Sequence, residues 1–494
     1  MNLKNTTMLQ LIEIYWPYIL AFLSVVLGFS AAIHATMTKK EVRTAIGWVG
    51  IIMLTPILGA VIYGILGINR IRCKTINLQR RDTGDFSPSY PIHYAVSAAI
   101  IKEKFGCRGA SMKHLGDQVS RCNQTSGNRI EILRGGDEVY AAMLRSIREA
   151  KYSILLETYI FDHDVIGGKF VKALADAVRR GVVVRVLIDA VGAQHSFPSI
   201  VHILKKNDVP VGLFNGNIII GLRLPYANLR THRKILIIDG KCAFTGGMNI
   251  RAGFSSKICG KDAFWDTHFR VEGPAVADLF HAAAEDWRFS SDEKLDGKIW
   301  SIFAPVLRPS EGMNTRVVLS GPYDRSMEAN RHMLVGAFSI AERSILIKTP
   351  YLLPDRELVS ALVTAAWRGV KVDIAVPDSN NLKLVDRAMR AQFDQLLPYN
   401  CRIWRVRGPF DHSKLISIDD YWAYVGSSNM DPRSLRLNFE IDLEIMDRKF
   451  SKAIADEIHK TIADANEVKL ADLKERPFIN RLLDRVIWLG SPYL

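Results

Sequence analysis

The sequence predicts an α/β fold of two similar α/β/α sandwich halves related by a pseudo-twofold axis, preceded by a transmembrane helical hairpin. Three observations predict it. Two long uncharged runs lie near the N-terminus, a helix–strand order occurs twice in the body, and a His-x-Lys-x4-Asp motif occurs once in each copy.

The hairpin comes first in the chain. Residues 14–33 (IYWPYILAFLSVVLGFSAAI) and 45–68 (AIGWVGIIMLTPILGAVIYGILGI) carry no charge, and each is long enough to cross a bilayer core of about 30 Å. Tyr15, Trp16, Tyr18 and Trp48 near their ends fit an interfacial belt. Two spans place everything after residue 69 on the same side as the N-terminus. The outer flank carries Arg70, Arg72, Lys74, Arg80 and Arg81 with no acid, against Lys39, Lys40 and Arg43 with Glu41 between the spans. Positive-inside counting puts the body in the cytoplasm, at the inner membrane.

Residues 76–127 are polar and irregular and read as a linker with one short helix. Beyond them a helix near 137–150 leads to a strand at 153–161, a helix near 168–180 and a β-branched strand at 182–189. The order returns with a helix near 326–342, a strand at 344–351, a helix near 355–368 and a strand at 370–376. AKYSILLETY (150–159) aligns with AERSILIKTPY (341–351) at an offset of 191, and RRGVVVRV (179–186) with WRGVKVDI (367–374) at 188. A shared order with a slowly drifting offset indicates duplication. Alternating helices and strands predict a largely parallel sheet with helices on both faces in each half. The expected divisions are a hairpin with its basic flank (1–75), a linker (76–127), two halves (128–310 and 311–470) and a tail (471–494).

THRKILIIDGKCAFTGGMNI (231–250) and DHSKLISIDDYWAYVGSSNM (411–430) hold the repeated motif: His232, Lys234, Asp239, and His412, Lys414, Asp419. In each, glycine follows the Asp by seven positions (Gly246, Gly426) and Asn follows the His by 17 (Asn249, Asn429). Each stretch reads as a hairpin turning at Asp-Gly or Asp-Asp. His and Lys at i and i+2 on the first strand share a face. The Asp, an odd seven residues on, falls at the turn, away from substrate. A small residue near the His would let a ligand approach the backbone. Two His, two Lys and two Asn converging on one pocket suit a tetrahedral phosphodiester: lysines neutralise it, asparagines donate to it, one His attacks phosphorus and the other protonates the leaving oxygen. An ammonium beside each His repels a cation, so no metal and no other cofactor is expected. Asp266 in FWDTHFRVEG and Glu440 in NFEIDLEI could each hold the His of its own half in one tautomer.

These motifs resemble the HKD signature of the phospholipase D superfamily, and the chain is most similar to its bacterial cardiolipin synthases of the two-span type. ETYIF, RRGVVVRVLIDAVG, SGPYD, TPYLLPD, GSSNMDPRSLRLNFE and the closing SPYL resemble that family's blocks in order. The resemblance implies a phosphohistidine intermediate, with the six HKD residues catalytic and Asn249, Asn429, Asp266 and Glu440 binding or orienting. It implies His232 as nucleophile and His412 as acid and base, an assignment pseudo-symmetry leaves open. The family reaction joins two phosphatidylglycerols into cardiolipin and releases glycerol without a catalytic metal. The runner-up reading is a phosphodiesterase that hydrolyses lipid or nucleic acid. RAGFSS (251–256) and Phe264-Trp265 depart from the family's pattern and bear on the choice of acceptor.

Charge supports a lipid partner. The 494 residues carry 65 Lys+Arg against 51 Asp+Glu, a net +14. Residues 1–127 hold +8 of it on about a quarter of the chain, where an anionic lipid surface is met. A nucleic-acid binder would carry it on the globular body, so none is expected. The tail FINRLLDRVIWLGSPYL (478–494) could lie against lipid or dock as a C-terminal helix. Six scattered cysteines without a CxxC pair support neither zinc nor a disulfide framework.

Overall fold

A computed structural model describes residues 8–39, 41–67, 94–215, 229–303, 305, 307–308, 311–321 and 328–491. The flanking Arg70, Arg72, Lys74, Arg80 and Arg81, the residues 76–93 of the expected linker and the last three residues of SPYL lie outside the described residues. The chain divides into two compact units after Arg72.

In the first unit the helix Met8–Thr38 contains an apolar stretch, Tyr15–Thr38, of 24 residues, enough to cross a bilayer. The second apolar run is not one helix. It divides into Val42–Leu54 and Pro56–Ile62, followed by a π-helical turn at Tyr63–Gly67. The break follows from chemistry. Pro56 has no N–H to donate and disfavours helical backbone at the residue before it, and Thr55 sits at φ −138°, ψ 73°. Gly28 packs on Pro56 so closely that a Cβ there would lie 2.9 Å from the proline Cβ.

The second unit is built on one sheet. The strands of its first half are β1 (Thr125–Arg134), β2 (Ser153–Thr158), β3 (Val183–Asp189), β4 (Val211–Phe214), β5 (Ile235–Ile238), β6 (Cys242–Gly246) and β7 (Thr267–Glu272). Those of the second are β8 (Met313–Ser320), β9 (Ser344–Lys348), β10 (Lys371–Pro377), β11 (Cys401–Val406), β12 (Leu415–Ile418), β13 (Trp422–Gly426), β14 (Glu440–Met446) and the short β15 (Ala465–Glu467). From the centre outward one half runs β1-β7-β6-β5-β2-β3-β4 and the other β8-β14-β13-β12-β9-β10-β11, with β15 at its edge. The two orders are the same, and the halves join where β1 and β8 pair antiparallel, as a twofold relation requires.

The sheet is mixed rather than largely parallel. Among the named strands, parallel pairing is confined to β2, β3 and β4 and to β9, β10 and β11, where helices such as Val165–Arg179 and Arg356–Trp367 make the crossovers. The motif hairpins β5–β6 and β12–β13 and the central strands are antiparallel. Hairpins need no crossover, and helix–strand alternation at the outer strands hides them.

The described part of the segment expected as a linker, 94–127, is structured. Ser97 caps a 22-residue helix, Ala98–Val119, by accepting from the Ile100 N–H. Gly106, at φ 74°, kinks it. Its Ile101 and Met112 are buried with Met333 and Phe338 in the core of the second half. Gly116 leaves room for the buried Arg316 guanidinium, which a Cβ would meet at 2.6 Å. Arg316 pairs with Asp117 and Glu444, each at 2.8 Å.

Candidate active site

His232 and Lys234 lie in extended backbone just before β5, and His412 and Lys414 stand likewise before β12, rather than on the strands. Each His segment is stitched to the opposite half. Thr231 bridges Phe439, and the His232 N–H donates to the Phe439 carbonyl at 2.9 Å. Asp411 bridges Trp265, and the His412 N–H donates to the Trp265 carbonyl at 2.7 Å.

The side chains cross in the same way. Nδ1 of His232 meets Oε2 of Glu440 at 3.0 Å, and Nδ1 of His412 meets Oδ2 of Asp266 at 2.9 Å. Each carboxylate therefore serves the other half's histidine, not its own. The residues bridging the two halves explain this, because Asp266 and Glu440 each follow the residue bonded to the opposite His segment. With Nδ1 engaged, Nε2 of each ring is the nitrogen left for phosphorus or a leaving oxygen.

The glycines of the two motifs fit neighbouring side chains. A Cβ on Gly247 would lie 2.7 Å from Oδ2 of Asp266, and one on Gly426 would collide with Oδ1 of Asp442. Gly246, at φ 150°, would meet Nδ1 of His268 at 2.6 Å. They make room for neighbouring side chains, not for backbone approach by a ligand.

Asp239 and Asp419 do not line the cavity that holds the histidines. Asp239 accepts from the backbone N–H groups of Lys151, Tyr152 and Ser153 at 2.7–3.2 Å. Asp419 accepts from Glu342, Arg343 and Ser344 at 2.7–2.9 Å. Both sit at φ 52° in the hairpin turns and clamp the entry to β2 and β9. Each carboxylate holds backbone at its hairpin turn instead of facing the cavity.

The two imidazoles and the two asparagines line one cavity of about 430 Å³. Asn249 Oδ1 accepts from the Ile160 N–H at 3.1 Å, which leaves its amide nitrogen for the cavity. Asn429 Nδ2 reaches Ser434 Oγ at 3.3 Å. Lys234 and Lys414 are buried next to the histidines, with Lys234 Nζ donating to the His232 carbonyl at 2.6 Å and Lys414 Nζ 2.9 Å from His412 Nδ1.

Burial dominates the electrostatics. It lowers Lys234 to about 7, aided by the Lys414 charge and resisted by Glu440. It lowers Lys414 to about 8 despite Asp266 and Glu440. Both histidines are lowered, His412 well below its ordinary value by burial and then by Lys414 and Lys234. The carboxylates differ. Burial pushes Asp266 up to about 7. Burial also opposes ionisation of Glu440, but His232, Lys234 and the Ser427 hydroxyl, 2.5 Å away, carry it below the usual range.

Sequence reasoning missed Ser427 and the aromatic rings around each histidine. Tyr159 packs on His232 with ring centroids 5.2 Å apart. Phe254, Tyr351 and Phe410 surround His412 at 5.9–6.3 Å, and Phe264 packs on Phe410. Phe254 and Phe264 are the signal that was present, since they stand in the two segments that depart from the family's pattern.

Residues 143–279 and 334–462 match the family described as cardiolipin synthase, PLD-like domain. The chain belongs to this family. Its two matched segments carry the two motif copies, one per half. Among relatives, the cardiolipin synthase of Alkalihalophilus pseudofirmus is 30% identical over 90% of this chain and 88% of its own length. That of Clostridium perfringens (strain SM101) is 30% identical over 92% and 95%, and that of Geobacillus thermodenitrificans is 29% identical over 99% and 97%. The PLD-like fold recurs in the phosphatidylserine synthase of Haemophilus influenzae, with a TM-score of 0.59, 16% identity and coverage of 78% of this chain and all of that one.

Proposed function

We infer that the chain is a membrane phosphatidyltransferase that joins two phosphatidylglycerols into cardiolipin and releases glycerol. The observation that carries the chemistry is the crossed pair of His–carboxylate contacts in one cavity. One imidazole Nε2 attacks phosphorus, forming a P–N bond, while the other gives its proton to the departing glycerol oxygen. That second imidazole then takes the proton of an incoming lipid hydroxyl, whose oxygen displaces the histidine from phosphorus. We assign the attack to His232, whose Glu440 partner is held ionised, and the proton transfer to His412. Buried Lys234 and Lys414 offset charge on the phosphoryl oxygens, and Asn249 and Asn429 donate to them.

The aromatic rings about His412 favour transfer over hydrolysis by excluding water. The apolar N-terminal helix tethers the chain to its lipid substrates, and the proposed topology is two spans with the body in the cytoplasm. The C-terminal helix Phe478–Leu489 adds a contact with the membrane surface.

Purified full-length protein in phosphatidylglycerol vesicles tests the reading. Cardiolipin and glycerol are expected in equal amounts, and both vanish in His232→Ala and His412→Ala. Phosphatidic acid without cardiolipin would make the chain a hydrolase.

A further inference from the structure

The cavity breaks the symmetry of the two halves. Two residues before His412 stands Phe410; two residues before His232 stands Arg230. Four residues after Asn249 stands Gly253; four after Asn429 stands Arg433. Arg230, Arg433, Phe410, Phe254 and Phe264 all line the same cavity. The phenylalanines gather around His412. Arg230 and Arg433 have no counterpart at the equivalent positions there, and a third lining arginine, Arg251, is already paired with Asp162 at 3.1 Å.

The two arginines come from different halves and act on one place. Burial and the Asp189 charge push the Tyr159 phenol up, while Arg433 and Arg230 both pull it the other way. Both guanidinium charges thus reach the ring that packs on His232. Arg230 spends part of its donor set on the Leu229 carbonyl at 2.8 Å and faces Asp189 at 3.9 Å. Arg433 is half-buried, and among the described residues its side chain has no hydrogen-bond or ion-pair partner. The nearby Asp431 carboxylate is occupied as a helix cap, accepting from the Ser434 N–H at 2.7 Å. Asp431 also lines the cavity and feels the Arg433 charge, but its carboxylate is turned to the helix cap. A guanidinium that makes no direct ion pair is suited to an anion that arrives with the ligand.

The reaction brings such an anion. The donor's phosphorus lies between the imidazoles, but an acceptor phosphatidylglycerol carries its own phosphodiester, joined to the attacking hydroxyl through the three carbons of glycerol. A second negative phosphate must then share the cavity with the first. Neither Lys234 nor Lys414 is placed for it, because both are buried and neither lines the cavity.

We propose that Arg433, with Arg230, forms a second anion subsite that binds the phosphodiester of the acceptor lipid and so selects a phosphate-bearing alcohol over a neutral one. This rests on the phosphatidyltransferase reading. Glycerol and phosphatidylglycerol present the same kind of hydroxyl and differ at this subsite by the phosphate.

The test uses full-length protein in phosphatidylglycerol vesicles with isotopically labelled glycerol present. Cardiolipin reports transfer to the anionic acceptor, and label entering phosphatidylglycerol reports transfer to the neutral one. Arg433→Gln is expected to lower cardiolipin formation about tenfold more than label exchange, the scale of one charge-assisted contact. Arg230→Gln is expected to shift the ratio the same way, and Arg433→Lys to restore most of it. Label exchange also reports that each variant is folded. An unchanged ratio, whether both activities fall together or neither falls, overturns the subsite. Wild-type protein that exchanges or hydrolyses but makes no cardiolipin overturns the functional reading instead.

Discussion

His232 and Glu440 lie 208 positions apart, in different halves, yet meet at 3.0 Å inside the cavity. Neither half alone therefore holds a completed histidine–carboxylate pair. Glu440→Gln keeps the shape and removes the charge that stabilises a protonated or phosphorylated ring. Turnover is expected to fall roughly a hundredfold or more, with an unchanged circular dichroism spectrum. Crossing makes the result specific. Glu440→Gln should lower the reactivity of His232 itself, whereas Asp266→Asn, acting through His412, should slow both formation and release of the phosphohistidine.

Gly247 sits against the other carboxylate. A Cβ placed there would lie 2.7 Å from Oδ2 of Asp266, and Asp266 has a 2.9 Å contact with His412 to preserve. Gly247→Ala is expected to displace the carboxylate and lower activity about tenfold or more. A crystal structure of the variant checks the displacement, and normal turnover would refute it.

Asp239 and Asp419 belong to stability rather than chemistry. Each holds three backbone N–H groups, and removing the carboxylate leaves those donors without their partner. Asp239→Ala or Asp419→Ala is expected to cost about 3 kcal/mol, read as a fall in Tm. Activity per folded molecule, measured well below that Tm, should change far less than in His232→Ala.

The alkaline side of the pH profile belongs to the lysines. Lys234 is lowered to about 7 and Lys414 to about 8, so both lose their charge as pH rises through that range. Less charge then offsets the phosphodiester, and kcat/KM is expected to decline from about pH 7 upward. The linkage to stability has the opposite sign. Between the folded values and the ordinary 10.5 the native state binds fewer protons than the unfolded chain, so each lysine's cost to stability is relieved as pH rises. Rate and Tm measured over one pH series should diverge.

The duplicated chemistry was legible because both motif copies keep the same spacing, and spacing survives in a linear string. The hairpins were legible too, with turns at Asp-Gly and Asp-Asp where φ is positive. Which carboxylate faces which histidine was not, since it depends on bridges between strands from different halves. The helix Ala98–Val119 escaped because Gly106, Gly109 and Gly116 break its apolar rhythm, and one of them exists to admit Arg316. The broken second apolar run was signalled by Pro56, whose effect hydropathy alone does not register.

The C-terminal helix supports the last prediction. Asp484 is buried and paired with Arg387 and Arg476 at 3.1 and 2.7 Å. The Arg387 pair joins one face of Phe478–Leu489 to the helix Lys383–Gln392, whose Val385 lines the cavity. The opposite face leaves Phe478, Ile479, Leu482, Leu483, Val486 and Leu489 exposed, with Phe478 at 70% and Leu489 at 72%. So much apolar surface marks a contact with protein or membrane, and the proposed reaction on lipid favours the membrane. Replacing Leu482, Leu483 and Val486 together by Glu removes apolar burial and adds charge that an anionic surface repels. Activity on phosphatidylglycerol vesicles is expected to fall at least tenfold, while activity on a short-chain substrate below its micelle threshold should hold. Equal losses on both substrates would mean that the helix serves only to support the cavity wall.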